Sequence, residues 1–202
     1  MYIPNAHKID DPELVFQQIL ENPFAMLVTT LDGHMEATHL PILLESTSPM
    51  ILCGHLARQN KQWRAFDGLS EAMMVFSGPH GYVSPSLYVT SPNVPTWNYV
   101  AIHAYGAVEV VNDEELVLAH LQRIVSYFDP SLPEKQPEST DPNYYRRLMP
   151  GIVAFQMKVE RLEGKAKLNR NKSDEDRLAV AEHYSKSTIE DEIRMGKLML
   201  GE

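Results

Sequence analysis

Apolar positions near the start of the chain follow a helical spacing. Asp11-Pro12-Glu13 supplies an N-cap, a proline at the first helical position and a carboxylate beside the positive end of the helix dipole. Asn22-Pro23 disfavours continuation, because the residue before a proline avoids the helical conformation. The pattern therefore predicts an amphipathic helix between these two segments.

Three stretches after this helix have the character of strands. Residues 24–30 and 35–44 are rich in apolar residues and flank Asp32-Gly33, which is typical of a tight hairpin turn. Residues 50–56 follow as a short apolar run. We expect two hairpin strands and a third, short strand here.

The middle of the chain predicts a helix, a short strand and a long loop. Residues 57–66 have a helical spacing, and residues 72–76 form a fourth strand that Gly78-Pro79 is expected to end. Residues 81–97 combine prolines and serines with aromatic residues. Because disordered linkers are poor in aromatic residues, this stretch is predicted to be a structured loop.

The second half contains two further strands and a clear helix. Residues 98–111 predict a long strand in which Gly106 marks a bulge or a close approach of another backbone. Residues 112–128 predict a helix with an asparagine cap and an acidic first turn, and residues 129–143 a surface excursion. Residues 153–159 alternate apolar and polar, as expected of a half-buried strand.

Ser173 followed by Asp176 resembles a capping box and predicts a polar C-terminal helix. The pattern as a whole gives six strands with peripheral helices and no alternation of strand and helix. It favours a closed or partly closed antiparallel barrel. We expect a main domain over residues 1–172 and a helical extension over residues 173–202 that packs on it.

Composition narrows the possible partners and compartment. The 202 residues carry a formal net charge of −9, so the overall field does not attract nucleic acid or an anionic membrane. Cys53 is the single cysteine and lies in an apolar run, which indicates a small buried residue. The first residues lack the character of a signal peptide, and no apolar stretch has membrane-spanning length. We therefore expect a cytoplasmic protein.

Familiar catalytic signatures are missing from the sequence. It contains no Gly-x-Gly-x-x-Gly turn, no P-loop, no His-Glu-x-x-His helix and no spacing of metal ligands. Four clusters of polar and aromatic residues remain. They lie at strand ends and in the long loop.

The first two clusters flank the third predicted strand. Thr38-His39-Leu40-Pro41 places a proline in an apolar strand, which implies a sheet edge or a broken ladder. His39 either faces a ligand there or hydrogen-bonds to backbone. Residues 54–63 lead from a strand into a helical turn, where a guanidinium and backbone N–H groups suit a phosphate. The alternative is a solvated turn with Arg58 and Lys61 paired to carboxylates.

The other two clusters lie in the loop and after the last strand. Residues 81–88 and 94–99 carry tyrosine, tryptophan and hydroxyl groups, which either read a conjugated ring or form a dimer interface. Residues 162–172 carry several basic residues and two asparagines. They either close over an anion or form a charged strand end.

Taken in order, the four clusters resemble the PaiB-like family of FMN-binding split-barrel proteins. The first residues, Met1-Tyr2-Ile3-Pro4, and the segment before the first predicted strand, Glu21-Asn22-Pro23-Phe24, are also similar to the family's sequences. The resemblance covers about residues 1–172. It implies a six-stranded antiparallel split β-barrel, a homodimer, and FMN bound at the dimer interface.

The resemblance assigns flavin contacts residue by residue. One strand would line the isoalloxazine ring and one turn would hold the phosphate. The ring strand contributes His39, Leu40 and Pro41, and the phosphate turn contributes His55, Arg58, Asn60 and Lys61. The family's Ser-Pro-Ser loop, Pro-Thr-Trp-Asn-Tyr segment, strand histidine and Leu-Glu-Gly-Lys motif contribute Ser84, Ser86, Tyr88, Thr96, Trp97, Asn98, His103, Lys165 and Lys167.

The chain also departs from the family's pattern at a few positions. Leu87 and Ala166 stand where the pattern has tryptophans, and Asn169-Arg170 replaces Ser-Gln. Smaller side chains at these positions predict weaker stacking on the flavin, or a wider pocket.

Three functions follow from these observations. PaiB-like proteins are described as negative transcriptional regulators of protease synthesis and sporulation, which implies a regulator or a redox or flavin sensor. The alternative is a flavin-dependent oxidoreductase or flavin reductase of a small substrate, with His39, His55, His103 or Tyr88 assisting proton transfer. Direct DNA binding is disfavoured by the charge and by the absence of a helix-turn-helix pattern.

Overall fold

A computed structural model describes residues 1–201, which form a seven-stranded sheet with peripheral helices. The strand order is β2-β1-β5-β6-β7-β4-β3, and the pairings of β1 with β2 and β5, and of β4 with β3 and β7, are antiparallel. The strands are β1 (Phe24–Leu31), β2 (His34–Pro41), β3 (Leu43–Thr47), β4 (Met50–Ala57), β5 (Asp67–Val83), β6 (Thr96–Val110) and β7 (Ile152–Lys167). The helices are α1 (Pro12–Glu21), α2 (Glu114–Phe128), α3 (Leu132–Lys135), α4 (Pro142–Leu148), α5 (Asp174–Ser185) and α6 (Glu190–Leu200).

The seventh strand arises because the predicted strand over residues 35–44 is divided in two. Strand β2 ends at Pro41, which has no N–H to continue the ladder, and β3 begins at Leu43. Between them the Ile42 N–H donates to the carbonyl of Pro23 (2.8 Å). Strand β2 lies at one edge of the sheet, which is the position that the proline indicated.

The expected end of a strand at Gly78-Pro79 was wrong. Strand β5 runs from Asp67 through both residues to Val83. Its pairing with β1 covers only residues 73–75, so the N–H that Pro79 lacks falls outside that ladder. The structured loop is correspondingly shorter than residues 81–97.

Two helices differ from their predictions, one in its length and the other in its N-cap. Residues 57–66 contain a 3₁₀ helix only over Lys61–Ala65, because β4 continues to Ala57. Helix α2 is capped by Asp113, whose carboxylate accepts from the N–H groups of Glu115 and Leu116, rather than by an asparagine. The excursion over residues 129–143 contains the short helix α3 and the start of α4.

The described residues group into two compact units. The first unit comprises Met1–Asn22, Phe76–His103 and Glu163 onward, and the second comprises Pro23–Val75 and Ala104–Leu162. Each unit is described by itself below.

Alternate strand residues build the core of the second unit. Leu27 on β1, Leu52 on β4 and Met157 on β7 are fully buried, and Leu52 lies opposite Met157 in the register. The Gln62 side chain is also buried, and its Nε2 donates to the carbonyls of Leu27 (3.0 Å) and Glu36 (3.1 Å). This amide therefore ties the 3₁₀ helix after β4 to the hairpin β1–β2.

Helices α5 and α6 pack against strand residues in the core of the first unit. Tyr184 on α5 and Met195 on α6 are fully buried in one cluster with Val83. The Ser173 hydroxyl accepts from the Asp176 N–H (3.2 Å), which confirms the predicted cap of the C-terminal helix. The division of the chain at residues 172 and 173 into a domain and an extension stays a prediction.

The loop between β5 and β6 is fixed to α5 by one carboxylate. Asp176 accepts from the N–H groups of Val89 (2.8 Å) and Thr90 (2.9 Å) and from the Thr90 hydroxyl (2.6 Å). These bonds to the ionised form hold the pKa of Asp176 below its usual range. The loop is therefore ordered by contacts outside it.

Among the described helices, none has the length and apolar character needed to cross a membrane.

Candidate functional site

The first group of expected ligand residues lies in the second unit, where β4 ends. The exposed Arg58 donates from Nε to the carbonyl of Pro150 (3.0 Å) and from Nη2 to the carbonyl of Ile152 (2.6 Å). A guanidinium has five N–H groups, so these bonds orient it and leave others for an anion. Lys61 is also exposed, at the first position of the 3₁₀ helix.

Asn60 holds this turn in place. Its Oδ1 accepts from the Gln62 N–H (3.0 Å), which caps the 3₁₀ helix, and its Nδ2 donates to the Thr38 hydroxyl (2.8 Å). The side-chain amide is thus already engaged by the fold at both of its polar atoms. It links the turn to strand β2.

His55 lies against helix α2. Its Nδ1 is 3.0 Å from Nε2 of His120, with the two rings edge to face at a centroid distance of 5.3 Å. Burial lowers the pKa of His55, and burial together with the neighbouring His55 lowers the pKa of His120 to about 4. Both imidazoles are therefore neutral at pH 7, so His55 adds hydrogen-bonding capacity but no positive charge.

The predicted ring strand is divided between exposed and buried positions. His39 is exposed and stacks on Phe24, with ring centroids 6.1 Å apart and planes inclined by 24°. Leu40 is buried and Pro41 is half-buried. His39 is therefore the accessible side chain of the three.

A cavity of about 500 Å³ adjoins Arg58 within the second unit. Trp63, Asn112 and Arg146 line it with Arg58, and sequence reasoning singled out none of these three for the site. Arg146 Nη2 forms an ion pair with Glu115 (2.6 Å). The sequence signal that could have indicated this site is the pair of arginines at residues 146–147, which follows the stretch predicted as a surface excursion (residues 129–143).

Cys53 has no features of a nucleophile. It is half-buried on β4, and burial raises the pKa of its thiol to about 11. The thiol therefore stays protonated at neutral pH. Among residues 1–201, no three histidine, cysteine or carboxylate side chains are arranged to hold a metal ion.

The second group of expected ligand residues lies in the first unit and begins after β5. The hydroxyls of Ser84 and Ser86 lie 2.8 Å apart, and Ser84 also accepts from the Ser86 N–H (3.3 Å). Ser84 thus caps the single 3₁₀ turn over Pro85–Leu87, which contains Ser86. Tyr88 follows this turn and is buried, which raises the pKa of its hydroxyl.

The two predicted lysines are held by neighbouring oxygen atoms. Lys167 Nζ donates to the Thr96 hydroxyl and to the carbonyl of Trp97 (2.8 Å), while Lys165 Nζ donates to the carbonyl of Tyr2 (3.1 Å). Burial and the charge of Lys165 lower the pKa of Lys167. The structure therefore brings Thr96, Trp97 and Lys167 together as predicted ligand residues.

Trp97 belongs to an exposed aromatic cluster that also contains Tyr82 and His80. Trp97 is 52% exposed and Tyr82 is 48% exposed, and their ring centroids are 6.0 Å apart. The His80 ring lies 6.1 Å from that of Trp97. Sequence reasoning did not select His80, although positions 80 and 82 share one face of β5 by their period of two.

The last two predicted residues lie on β6 with limited exposure. Asn98 is fully buried, and its Nδ2 donates to the Met199 sulfur (3.5 Å), while its Oδ1 has no partner within the described chain. His103 is half-buried, and burial lowers its pKa. His103 is therefore neutral at pH 7.

The donor set of both groups suits FMN. Arg58 and Lys61 supply exposed cations, which a phosphate requires. Trp97 and Tyr82 supply exposed aromatic rings, on which a conjugated ring system can stack. FMN when bound supplies reversible redox chemistry, whereas these residues supply binding and orientation.

The departures from the family's pattern lie inside the first unit. Ala166 is buried in the cluster that contains Tyr184, and Leu87 packs against the same cluster. Both positions thus face helices α5 and α6.

The fold is that of a split-barrel protein. The structure resembles the flavocytochrome Anf3 of Azotobacter vinelandii, with a TM-score of 0.60 and 16% identity over 84% of this chain and 73% of that one. It also resembles the FAD and heme binding protein of Mycobacterium smegmatis, with a TM-score of 0.61 and 14% identity over 86% and 79%. Similarity at this level of identity concerns the fold.

The chain belongs to the family described as "Putative FMN-binding domain", which matches residues 1–161. FMN is therefore its cofactor, as the resemblance implied. The chain is 34% identical to the "Protease synthase and sporulation protein PAI 2" of Bacillus subtilis, over 98% of this chain and 96% of that protein. It is also 29% identical to an uncharacterized protein of Aspergillus fumigatus, over 97% and 94%.

Proposed function

We propose that this protein is a cytoplasmic, homodimeric FMN-binding protein that acts as a negative transcriptional regulator or flavin sensor, with the flavin at the dimer interface. The observation that carries the proposal is the 34% identity to PAI 2 over nearly the whole length of both chains. That protein is named for protease synthesis and sporulation, and here the same role is a proposal.

The two groups of residues support flavin binding in different ways. Around Arg58 the second unit offers exposed cations beside an open cavity, which suits the phosphate. Around Trp97 the first unit offers exposed aromatic rings and the Lys167 ammonium, which suit the ring system. Each group is therefore a candidate flavin contact within its own unit.

An apolar face of the second unit supports the dimer. Met26 and Val28 on β1 lie opposite Val75 and Met73 on β5 in the register, and all four are half-buried. They alternate with buried residues such as Leu27, so they lie on the face away from the core. Half-exposed apolar residues clustered on one sheet face are typical of a surface that another subunit covers.

The basic run after β7 supports an indirect route of regulation. Lys165 and Lys167 donate to neighbouring oxygen atoms of the first unit, and Lys172 Nζ donates to Oδ1 of Asn93 (2.5 Å). These lysines are therefore engaged within the protein. A cationic surface for DNA phosphates needs solvated, clustered charges, and this run supplies little of that.

Arg58→Ala is expected to weaken FMN binding by about tenfold or more, because a charge-assisted hydrogen bond to the phosphate is lost. Titration of FMN into the colourless protein, followed by quenching of flavin fluorescence, measures the affinity and the stoichiometry. Arg64→Ala is the matched control, since Arg64 is also an exposed arginine and lies on the 3₁₀ helix that follows the turn of Arg58. A second variant, Trp97→Ala, is expected to weaken FMN binding because it removes an exposed aromatic ring on which the flavin can stack.

Equal affinities of Arg58→Ala and Arg64→Ala would contradict the assignment of the phosphate. Because Arg58 also binds two carbonyls, a thermal melt of each variant must accompany the titration. Reduction of the bound flavin by NADH would move the assignment from a regulator to an oxidoreductase.

Val28→Arg is expected to convert the dimer to a monomer, because it places a charge in the apolar sheet face. Sedimentation velocity at a fixed protein concentration measures the change, and FMN titration of the monomer tests whether the flavin site needs both subunits. Met35→Arg is the control, because Met35 is 82% exposed on the edge strand β2. A wild-type protein that sediments as a monomer at micromolar concentration would refute the dimer.

A further inference from the structure

An N-terminal arm, residues 1–9, contacts strand β7 at both of its ends within the first unit. The second half of the arm is fixed by main-chain contacts to that strand. The Ile9 N–H donates to the carbonyl of Gly164 (3.0 Å), and Lys8 forms an antiparallel bridge with Lys165. This end of the arm is therefore part of the fold.

The arm tip, residues 1–3, is held differently, by side chains of β7. Nζ of Lys165 donates to the carbonyl of Tyr2 (3.1 Å) and lies 5.7 Å from the centre of the Tyr2 ring. Glu163 pairs with the Met1 ammonium. None of the three tip residues is buried, and Tyr2 is 82% exposed. Little buried surface is therefore lost when the tip moves away, which makes it a part of the chain that opens locally at low cost.

The tip lies over one end of the face that carries the expected ring ligands. Trp97 and Tyr99 are two residues apart on β6, so their side chains share a face of the strand. Lys165 and Lys167 do the same on the neighbouring strand β7. Nζ of Lys165 lies 5.1 Å from the centre of the Tyr99 ring, so both pairs lie on the same face.

The accessibility of this face decreases toward the tip. Trp97 is 52% exposed and Lys167 is half-buried, whereas Lys165 is only 8% exposed. The Lys165 ammonium is within 6 Å of the centres of the Tyr2 and Tyr99 rings, which attract a cation, and its acceptor is the Tyr2 carbonyl. Two of these three contacts come from Tyr2. The tip therefore occupies the lysine that the sequence predicts to contact the flavin.

We propose that the arm tip competes with the flavin ring for Lys165 and is displaced when the flavin binds. The inference rests on the proposed flavin function. With the tip displaced, the Lys165 ammonium keeps its contact with Tyr99 and donates to an acceptor oxygen of the ligand in place of the Tyr2 carbonyl. The free energy needed to displace the tip lowers the apparent affinity for flavin, because only the open form of the site uses Lys165.

A shortened arm tests this competition. Removal of Tyr2 and Ile3, with Met1 joined to Pro4, shortens the arm by about 7 Å of extended chain and takes the carbonyl away from Lys165. FMN titration followed by flavin fluorescence is expected to show about tenfold tighter binding than to the wild-type protein, since the competing hydrogen bond is lost. Riboflavin, which has no phosphate, is expected to gain by the same factor because the tip acts on the ring.

Two further variants test whether Lys165 accounts for the gain. In the shortened chain, Lys165→Gln is expected to return the affinity to about the wild-type value, because the group that the tip occupied is gone. Tyr2→Phe in the full-length arm is the matched control, since it keeps both the ring and the carbonyl beside Lys165, and it should leave the affinity unchanged. A thermal melt of each variant checks folding, which should be normal because the tip residues are not buried.

The reactivity of Lys165 tests independently of flavin whether the tip shields it. Acetylation of lysines by acetic anhydride is followed by mass spectrometry in the wild-type and shortened chains. Lys165 is expected to react several-fold faster in the shortened chain. Lys186 is the internal control, because its side chain is 78% exposed on α5's C-terminal side, and it should react equally in both chains.

Unchanged flavin affinity in the shortened chain would overturn the proposal, as would a gain that Lys165→Gln does not remove. Equal acetylation of Lys165 with and without the tip would also overturn it. Absence of FMN binding to every variant is a different result, because it refutes the proposed flavin function itself and the competition with it.

Discussion

Lowering the pH from 7 to 5 is expected to destabilise the wild-type protein, and His120→Gln should remove much of this pH dependence. His55 on β4 and His120 on α2 face each other with 3.0 Å between Nδ1 and Nε2. Burial lowers the pKa of both, that of His120 to about 4. The unfolded chain therefore binds protons at a higher pH than the folded protein does.

The sign of the effect follows from this order of protonation. A histidine whose folded-state pKa is lowered makes its full contribution to the free energy of unfolding above about pH 6.5. This contribution falls as the pH decreases toward the folded-state pKa. Each such histidine contributes at most about 1.4 kcal/mol per pH unit to the slope. Between pH 6.5 and pH 5, His120 alone is expected to account for about 2 kcal/mol.

Urea unfolding at pH 5, 6 and 7 measures the free energy of unfolding for each variant. The readout is the slope against pH, so a uniform loss of stability in His120→Gln does not affect it. His34→Gln serves as the control, because His34 is exposed at the start of β2. A slope in His120→Gln equal to that of the wild type would show that the histidine pair does not titrate as argued.

Gly106→Ala is expected to lower the free energy of unfolding by about 3 kcal/mol or more, as severe overpacking does. A Cβ at residue 106 would lie 2.0 Å from the carbonyl oxygen of Lys158 and 3.0 Å from its carbonyl carbon. Strands β6 and β7 are neighbours in the sheet, so relief requires movement of backbone rather than of a flexible side chain. This confirms the close approach that the glycine in a long strand predicted.

Gly151→Ala is the matched control for this substitution. A Cβ at residue 151 meets no heavy atom within 4 Å, so the expected change is within about 0.5 kcal/mol. Thermal or urea unfolding of both variants measures the difference. Equal stability of the two variants would mean that the contact between β6 and β7 relaxes at little cost.

The elements that depend on local chemistry were predictable. The cap at Asp11 with Pro12, the hairpin turn at Asp32-Gly33 and the Ser173 cap are each decided by a few adjacent residues, and the structure contains all three. Both turn residues have positive φ, as the hairpin requires. The family and the cofactor also followed from the sequence, because ordered motifs spread along the chain carry them.

Where the strands end at prolines was decided by the neighbouring strands of the sheet, which the sequence pattern does not show. Pro41 divides one predicted strand in two, whereas Gly78-Pro79 is accommodated within β5 beyond its pairing with β1. The same residue type thus ends one strand and continues another, because the cost of a missing N–H depends on the neighbouring strand. A sequence pattern contains no information on that neighbour.

For the candidate site, the sequence determined which residue types are present, and only the tertiary structure decided which of them are free to bind. Asn60 and Ser84 are engaged by caps and His55 by His120, while Trp97 remains exposed. These contacts join residues far apart in the chain, such as positions 55 and 120, so local patterns do not predict them. The availability of a side chain is a property of its partners, which only the folded chain brings together.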